Sequence, residues 1–159
     1  MSGRMVIDAS VAAKWFLKDP SETDIDLADD VLVALLAGDL EIHAPRIFTY
    51  EVCGLLTKAC QTHDRQTRLP RVTKPLAVAS IRELFGLPIH LSEATEEEGA
   101  QALEMAVDYS KQHYDMTYVR LAENLDCQWC TADGKALEGI PRSFPRHRVL
   151  LLSSLREAL

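Results

Sequence analysis

Apolar and polar residues alternate along the chain in two rhythms. Short segments at 5–7, 41–43, 89–91, 128–131 and 149–152 read as buried strands. Longer stretches with apolar residues three and four apart predict helices over 10–17, 21–37, 45–62, 72–85, 95–110 and 115–125. Punctuation supports these bounds. Ser10 and Ser21 stand where helix caps are expected, and Asp19-Pro20 separates the first two helices. Gly38 ends the second, Pro45 opens the third, and Gly86 with Pro88 closes the fourth. The run from Thr95 to Glu98 reads as a capping box. Segment 63–71 is polar and reads as a loop or a frayed helix end. Short strands separated by helices predict an α/β fold, a three-layer α/β/α architecture with a central parallel sheet.

Composition narrows the class. A chain of 159 residues suits one domain, spanning 1–159, with a core large enough to need no disulfides. Hydrophobic content of 47% with 26% charged residues is that of a folded protein. The net charge of -7 excludes a protein that holds nucleic acid by basic charge alone. It leaves room for a nucleic-acid enzyme, because bound cations reverse the local sign. No apolar run approaches the ~20 residues of a membrane span, and the N-terminal residues hold no apolar core long enough to read as a secretory signal. A cytoplasmic protein with reduced cysteines is expected. Cys127-Gln-Trp-Cys130 has no second pair at zinc spacing and falls in a strand, so its thiols read as buried.

Four acidic residues fit this pattern awkwardly. Asp8 ends an apolar strand, and Asp133 follows another. Glu51 lies roughly 60° from the centre of the stripe Phe48, Val52, Leu55 and Ala59, at its margin. Asp115 opens a helix on the same face as Tyr118, Ala122 and Leu125. Each has an ordinary reading alone. Asp8 and Asp115 can cap helices, Glu51 can sit at a solvated margin, and Asp133-Gly134 can form a turn. The runs Asp24, Asp26, Asp29, Asp30 and Glu96, Glu97, Glu98 suit exposed helix starts. Sites in parallel sheets gather at the C-terminal ends of strands, where Asp8 and Asp133 fall. Carboxylates that converge there hold a hard divalent cation.

The segments Val6-Ile-Asp8-Ala-Ser10, Ala44-Pro45 through Glu51-Val52, Tyr114-Asp115-Met-Thr-Tyr118 and Thr131-Ala132-Asp133 together resemble the PIN-domain nucleases. Within them the chain is similar to the VapC-like toxins of toxin–antitoxin pairs. The resemblance spans almost the whole sequence and implies a PIN-like α/β/α fold. It implies an endoribonuclease dependent on Mg²⁺ or Mn²⁺, with RNA as substrate. Asp8, Asp115 and Asp133 would anchor the metal, and Glu51 would bind it or orient the attacking water. Ser10 and Thr131 would support these ligands or the phosphate, or serve only as helix cap and strand end. A cognate antitoxin would dock among the early helices, where an exposed aromatic in the Trp15-Phe16-Leu17 cluster would receive it. A homodimer is also implied.

Two positions depart from the family pattern. Gly54 stands where many relatives carry asparagine, and Lys135-Ala136 follow the fourth motif where some carry a further acid. Two basic stretches read either as solvated loops or as phosphate contacts for RNA. One holds Arg65, Arg68, Arg71 and Lys74, the other Arg142, Arg146, His147 and Arg148. The five histidines show no spacing that pairs one with a nucleophile. The alternatives are a non-toxin PIN nuclease and a metal-binding regulatory module without hydrolysis. A phosphatase with a strand-end aspartate is disfavoured, because Asp8-Ala9-Ser10 lacks a second aspartate.

Overall fold

The structure, a computed structural model, describes residues 3–158, so residues 1, 2 and 159 of the expected domain lie outside it. Five parallel strands form the central sheet: β1 (Gly3–Ile7), β2 (Leu40–Pro45), β3 (His90–Ser92), β4 (Gln128–Thr131) and β5 (Val149–Leu151). Their spatial order is β3-β2-β1-β4-β5. Helices α1 (Ala9–Phe16), α2 (Ile25–Ala37), α3 (Ile47–Gln61) and α4 (Lys74–Gly86) follow β1 and β2. Helices α5 (Glu96–Tyr109) and α6 (His113–Asn124) link β3 to β4, and α7 (Leu155–Ala158) comes last. The result is a three-layer α/β/α fold, as the strand–helix alternation predicts.

Val6, Ile7, Ile42, Ala44, Trp129 and Cys130 are buried, which suits strands covered on both faces. The helices complete one contiguous core with Val11, Ala12, Phe48, Val52, Leu56, Val119 and Ala122. Helix α3 turns slightly from the expected stripe: Leu56 is buried while Leu55 is 38% exposed. Trp15 and Leu17 are buried and Phe16 is partly so, and the Trp15 indole donates to the Ala28 carbonyl at 2.8 Å. The aromatic cluster of α1 is therefore core, and the exposed aromatic expected there for an antitoxin is not found. Burial pushes the Cys130 thiol up to about 12, in keeping with an inert core cysteine. No helix among the described residues is long and apolar enough to cross a membrane.

Several boundaries move for local reasons. Ser21 does not cap α2; its N–H donates to the Asp19 carboxylate in a turn, and the helix starts four residues later. Pro45 ends β2 paired with Ser92 instead of opening α3. Asp8, not Ser10, is the N-cap of α1. Asp115 lies inside the first turn of α6, whose cap position is Gln112. The Thr95–Glu98 capping box forms as read from the sequence. Gly38 takes the left-handed conformation (φ 77°) that closes α2 before β2. A Cβ there would meet nothing within 4 Å, so alanine brings backbone strain without a clash. Gly38→Ala should therefore cost about 1 kcal/mol, read as a lower urea midpoint at unchanged m-value.

Candidate active site

The chain steps outward from β1 to β2 and β3, then returns to place β4 on the other side of β1. This reversal opens a crevice at the C-terminal ends of β1 and β4. The β1–β4 ladder runs to Ile7 and Cys130, and the Asp8 N–H extends it to the Cys130 carbonyl at 3.4 Å. Asp8, the first residue past β1, thus lies beside Thr131, the last residue of β4.

Ser10 ties the two exits together. The Asp8 carboxylate caps α1 by accepting from the Ser10 N–H at 2.9 Å, and it also accepts from the Ser10 hydroxyl. That hydroxyl oxygen accepts from the Ala132 N–H at 2.8 Å and lies 3.3 Å from Thr131 Oγ1. Thr131 Oγ1 accepts from the Asp133 N–H at 3.1 Å. Asp133 then accepts from the Lys135 N–H at 2.9 Å, closing the turn expected at Gly134. Asp8 therefore caps a helix and also borders the crevice.

Helices bring the other two acids to the same place. Asp8, Glu51, Asp115 and Asp133 all border one open cavity of about 420 Å³, with Ser10, Gly54, Leu55, Lys58 and Tyr118. The Tyr118 hydroxyl donates to Glu51 Oε2. Its ring is buried and stacks on Trp129 with centroids 5.9 Å apart, so the core fixes one Glu51 oxygen. A Cβ at Gly54 meets nothing within 4 Å, so the place of the family's asparagine is open space.

Burial raises the pKa of Asp8, against the pull of the Ser10 and Thr131 hydroxyls. Glu51 is raised by burial and by the charges of Asp8 and Asp115, against its Tyr118 bond. Asp115 is raised by burial and by Asp133, with Lys111 opposing. Among the described residues, no three acidic, histidine or cysteine side chains already stand as a closed ligand cluster. The donor set is all oxygen and strained by its own charge, which fits a hard divalent cation.

The sequence reading missed two neighbours. Lys58 lies seven residues after Glu51 in α3, two helical turns along the same face, and that spacing was its signal. Lys111 donates to the carbonyls of Glu138 (2.7 Å) and Lys135 (3.4 Å), which latches the segment after Asp133 to the α5–α6 turn.

The expected RNA contacts are dispersed. Arg65 and Arg68 are exposed on the loop between α3 and α4, and Arg142 is exposed before β5. None of the three borders the acidic cavity. Arg71 is already engaged, donating to Asp19 at 2.8 and 3.0 Å and also to Glu22. Glu22 in turn accepts from the buried Lys14 at 2.8 Å. Burial works to raise the Asp19 pKa, but the Arg71 and Ser21 bonds outweigh it and hold it at about 2.

No protein-family model matches the chain, and no curated protein matches it in sequence. Its fold is similar to several solved structures. PAE2754 from Pyrobaculum aerophilum aligns with a TM-score of 0.64 and 15% identity, over 99% of this chain and 96% of that one. VapC20 of Mycobacterium tuberculosis, a toxin that cleaves the sarcin-ricin loop, gives a TM-score of 0.58 and 15% identity. The match covers 83% of this chain and 92% of VapC20. VapBC2 from Rickettsia felis, bound to a DNA fragment from its promoter, gives 0.58 and 14% identity, over 93% and 96% of the two chains. At such identities the likeness is one of fold, the three-layer α/β/α architecture that the motif resemblance implied.

Raised carboxylates hold protons in the folded state that the unfolded chain has released. Their contribution to stability is full below about pH 4 and falls as pH rises through the raised values. Replacing Glu51 by Gln removes one such group. In chelator, the melting temperature of Glu51→Gln relative to wild type should climb between about pH 4 and pH 8. Scanning calorimetry across that range reads the trend. The depressed Asp19 acts with opposite sign. Arg71→Gln should cost on the order of 1–3 kcal/mol near neutrality, and the deficit should vanish as pH falls towards about 2.

Proposed function

We propose that the chain is a divalent-cation-dependent endoribonuclease acting in the cytoplasm, the toxin of a toxin–antitoxin pair. The observation that carries this reading is the one cavity bordered by Asp8, Glu51, Asp115 and Asp133 at the sheet's reversal point. The four-motif resemblance supports the activity. The shared fold with VapC20, a toxin that cleaves the sarcin-ricin loop, supports RNA as the substrate class. The VapBC2 fold match supports a cognate antitoxin. Self-association as a homodimer belongs to the same reading.

Asp8, Asp115 and Asp133 would hold Mg²⁺ or Mn²⁺, with Glu51 beside them. When bound, such an ion acidifies a water and offsets charge on the phosphoryl oxygens. The protein's own groups arrange the rest. Tyr118 fixes Glu51 Oε2 and leaves Oε1 to orient the attacking water and take its proton. The raised proton affinity of Glu51 suits that transfer. Ser10 holds Asp8 and the Ala132 N–H together, so two ligands from distant parts of the chain keep a fixed separation. Arg65, Arg68 and Arg142 remain candidates for more distant phosphates, through exposed guanidinium groups.

Asp8→Asn and Asp115→Asn should each lower Mg²⁺-dependent cleavage of a synthetic RNA by roughly a hundredfold or more. Circular dichroism and the melting temperature should show both variants folded. Full activity in Asp115→Asn would remove that residue from the mechanism. A wild-type protein that binds Mg²⁺ by calorimetry and cuts no RNA would favour the regulatory module instead.

A further inference from the structure

A second cavity of about 330 Å³ adjoins the acidic one, and the two share a wall of Ser10, Leu55, Lys58 and Asp133. Its other lining residues include Lys14, Glu22, Arg71 and Ala132. The cations here differ in what they already do. Lys14 is buried and paired with Glu22, and Arg71 is held by Asp19 and Glu22. These pairs leave the charges of Lys14 and Arg71 already matched by carboxylates. The Lys58 side chain is exposed, and among the described residues its ammonium has neither a hydrogen-bond nor a salt-bridge partner. Lys58 also sits on the helix that carries Glu51, so the metal-facing carboxylate and the free cation are parts of one rigid element.

We propose that the second cavity is the subsite for the phosphodiester next to the scissile one in a single-stranded RNA, and that Lys58 is the cation that binds it. The inference rests on the nuclease reading and deepens it. A strand lying across the shared wall puts one phosphate among the four carboxylates and their cation. The neighbouring phosphate then falls beside Lys58, where no carboxylate has claimed the ammonium. Lysine serves as a mobile point charge for phosphate, so arginine should substitute for it in charge. Ser10 and Asp133, common to both cavities, make the two sites continuous. Lys58 acts in binding and register, and the bond-breaking step stays with the acidic cavity.

The test compares wild type with Lys58→Ala and Lys58→Arg. Binding of a fluorescein-labelled single-stranded RNA oligonucleotide is read by anisotropy in chelator across a salt series. Steady-state cleavage with Mg²⁺ gives kcat and KM. Lys58→Ala should weaken binding about tenfold and reduce the slope of log affinity against log salt by about one contact. It should raise KM while leaving kcat nearly unchanged, and Lys58→Arg should restore both readouts. An unchanged salt slope in Lys58→Ala, with wild type cutting RNA normally, would overturn the subsite and leave the nuclease reading standing. A change confined to melting temperature would also overturn it, since a purely structural counter-charge gives that result. If wild type neither binds nor cuts the oligonucleotide, both readings fall.

Discussion

One serine hydroxyl joins two strands that the chain visits about 120 residues apart. Ser10 donates to Asp8 after β1 and accepts from the Ala132 N–H after β4, in the notch where the sheet reverses its order. Because the strands are parallel, both leave the sheet in the same direction and bring an aspartate with them. The small polar side chains of Ser10 and Thr131 meet the hydrogen-bonding needs of chain ends turning out of a buried sheet. Larger or apolar side chains there would leave the Ala132 and Asp133 N–H groups unsatisfied. Everything else at the site is arranged around this junction: α3 supplies Glu51, and α6 supplies Asp115 and Tyr118.

The site is held together by forces that do not favour it individually. Burial opposes charge on Asp8, Glu51 and Asp115, and the acids oppose one another. Hydroxyl donors from Ser10 and Tyr118 offset part of this. Nearby, opposite charges are paired instead. Lys14, Glu22, Arg71 and Asp19 form a chain of ion pairs that joins α1, its following loop and the segment before α4. The contrast separates two regions: ion pairs brace the wall, while four carboxylates and Lys58, unpaired among the described residues, border the cavity.

Much of the fold can be read from the sequence because strands buried on both faces leave a plain mark. The runs ending at Ile7, Thr131 and Leu152 needed only their apolar residues and their neighbours, and the last strand stops one residue earlier, at Leu151. Boundaries governed by local polar competition were harder. Asp19 captures the Ser21 N–H and delays α2, and Pro45 lies within β2 although proline also opens helices. The acidic quartet was legible as a set, from order and spacing along an alternating chain. The Tyr118–Glu51 bond was not, because it depends on how α3 faces α6, which the sequence periodicity of either helix leaves open, whereas Lys58 left a signal in its seven-residue spacing from Glu51. The misplacement of Leu55 for Leu56 has the same origin, a small rotation of one helix. Arg71 shows the reverse error, since a basic run in sequence hid a guanidinium already bound to two carboxylates.

The stack of Tyr118 on Trp129 gives the site an optical voice. The indole is buried and nearly parallel to the phenol, at an interplanar angle of 16°. The phenol's hydroxyl ends on Glu51, so any change in that carboxylate reaches a chromophore through one side chain. The indole N–H has no hydrogen-bond partner among the described residues, which leaves the ring's excited state sensitive to the field around it. Trp15, in contrast, is tied to the Ala28 carbonyl in α2 and serves as a constant background. Intrinsic fluorescence and near-ultraviolet dichroism can therefore report on Glu51 in the unlabelled protein, with the light coming from the core and the information from the cavity.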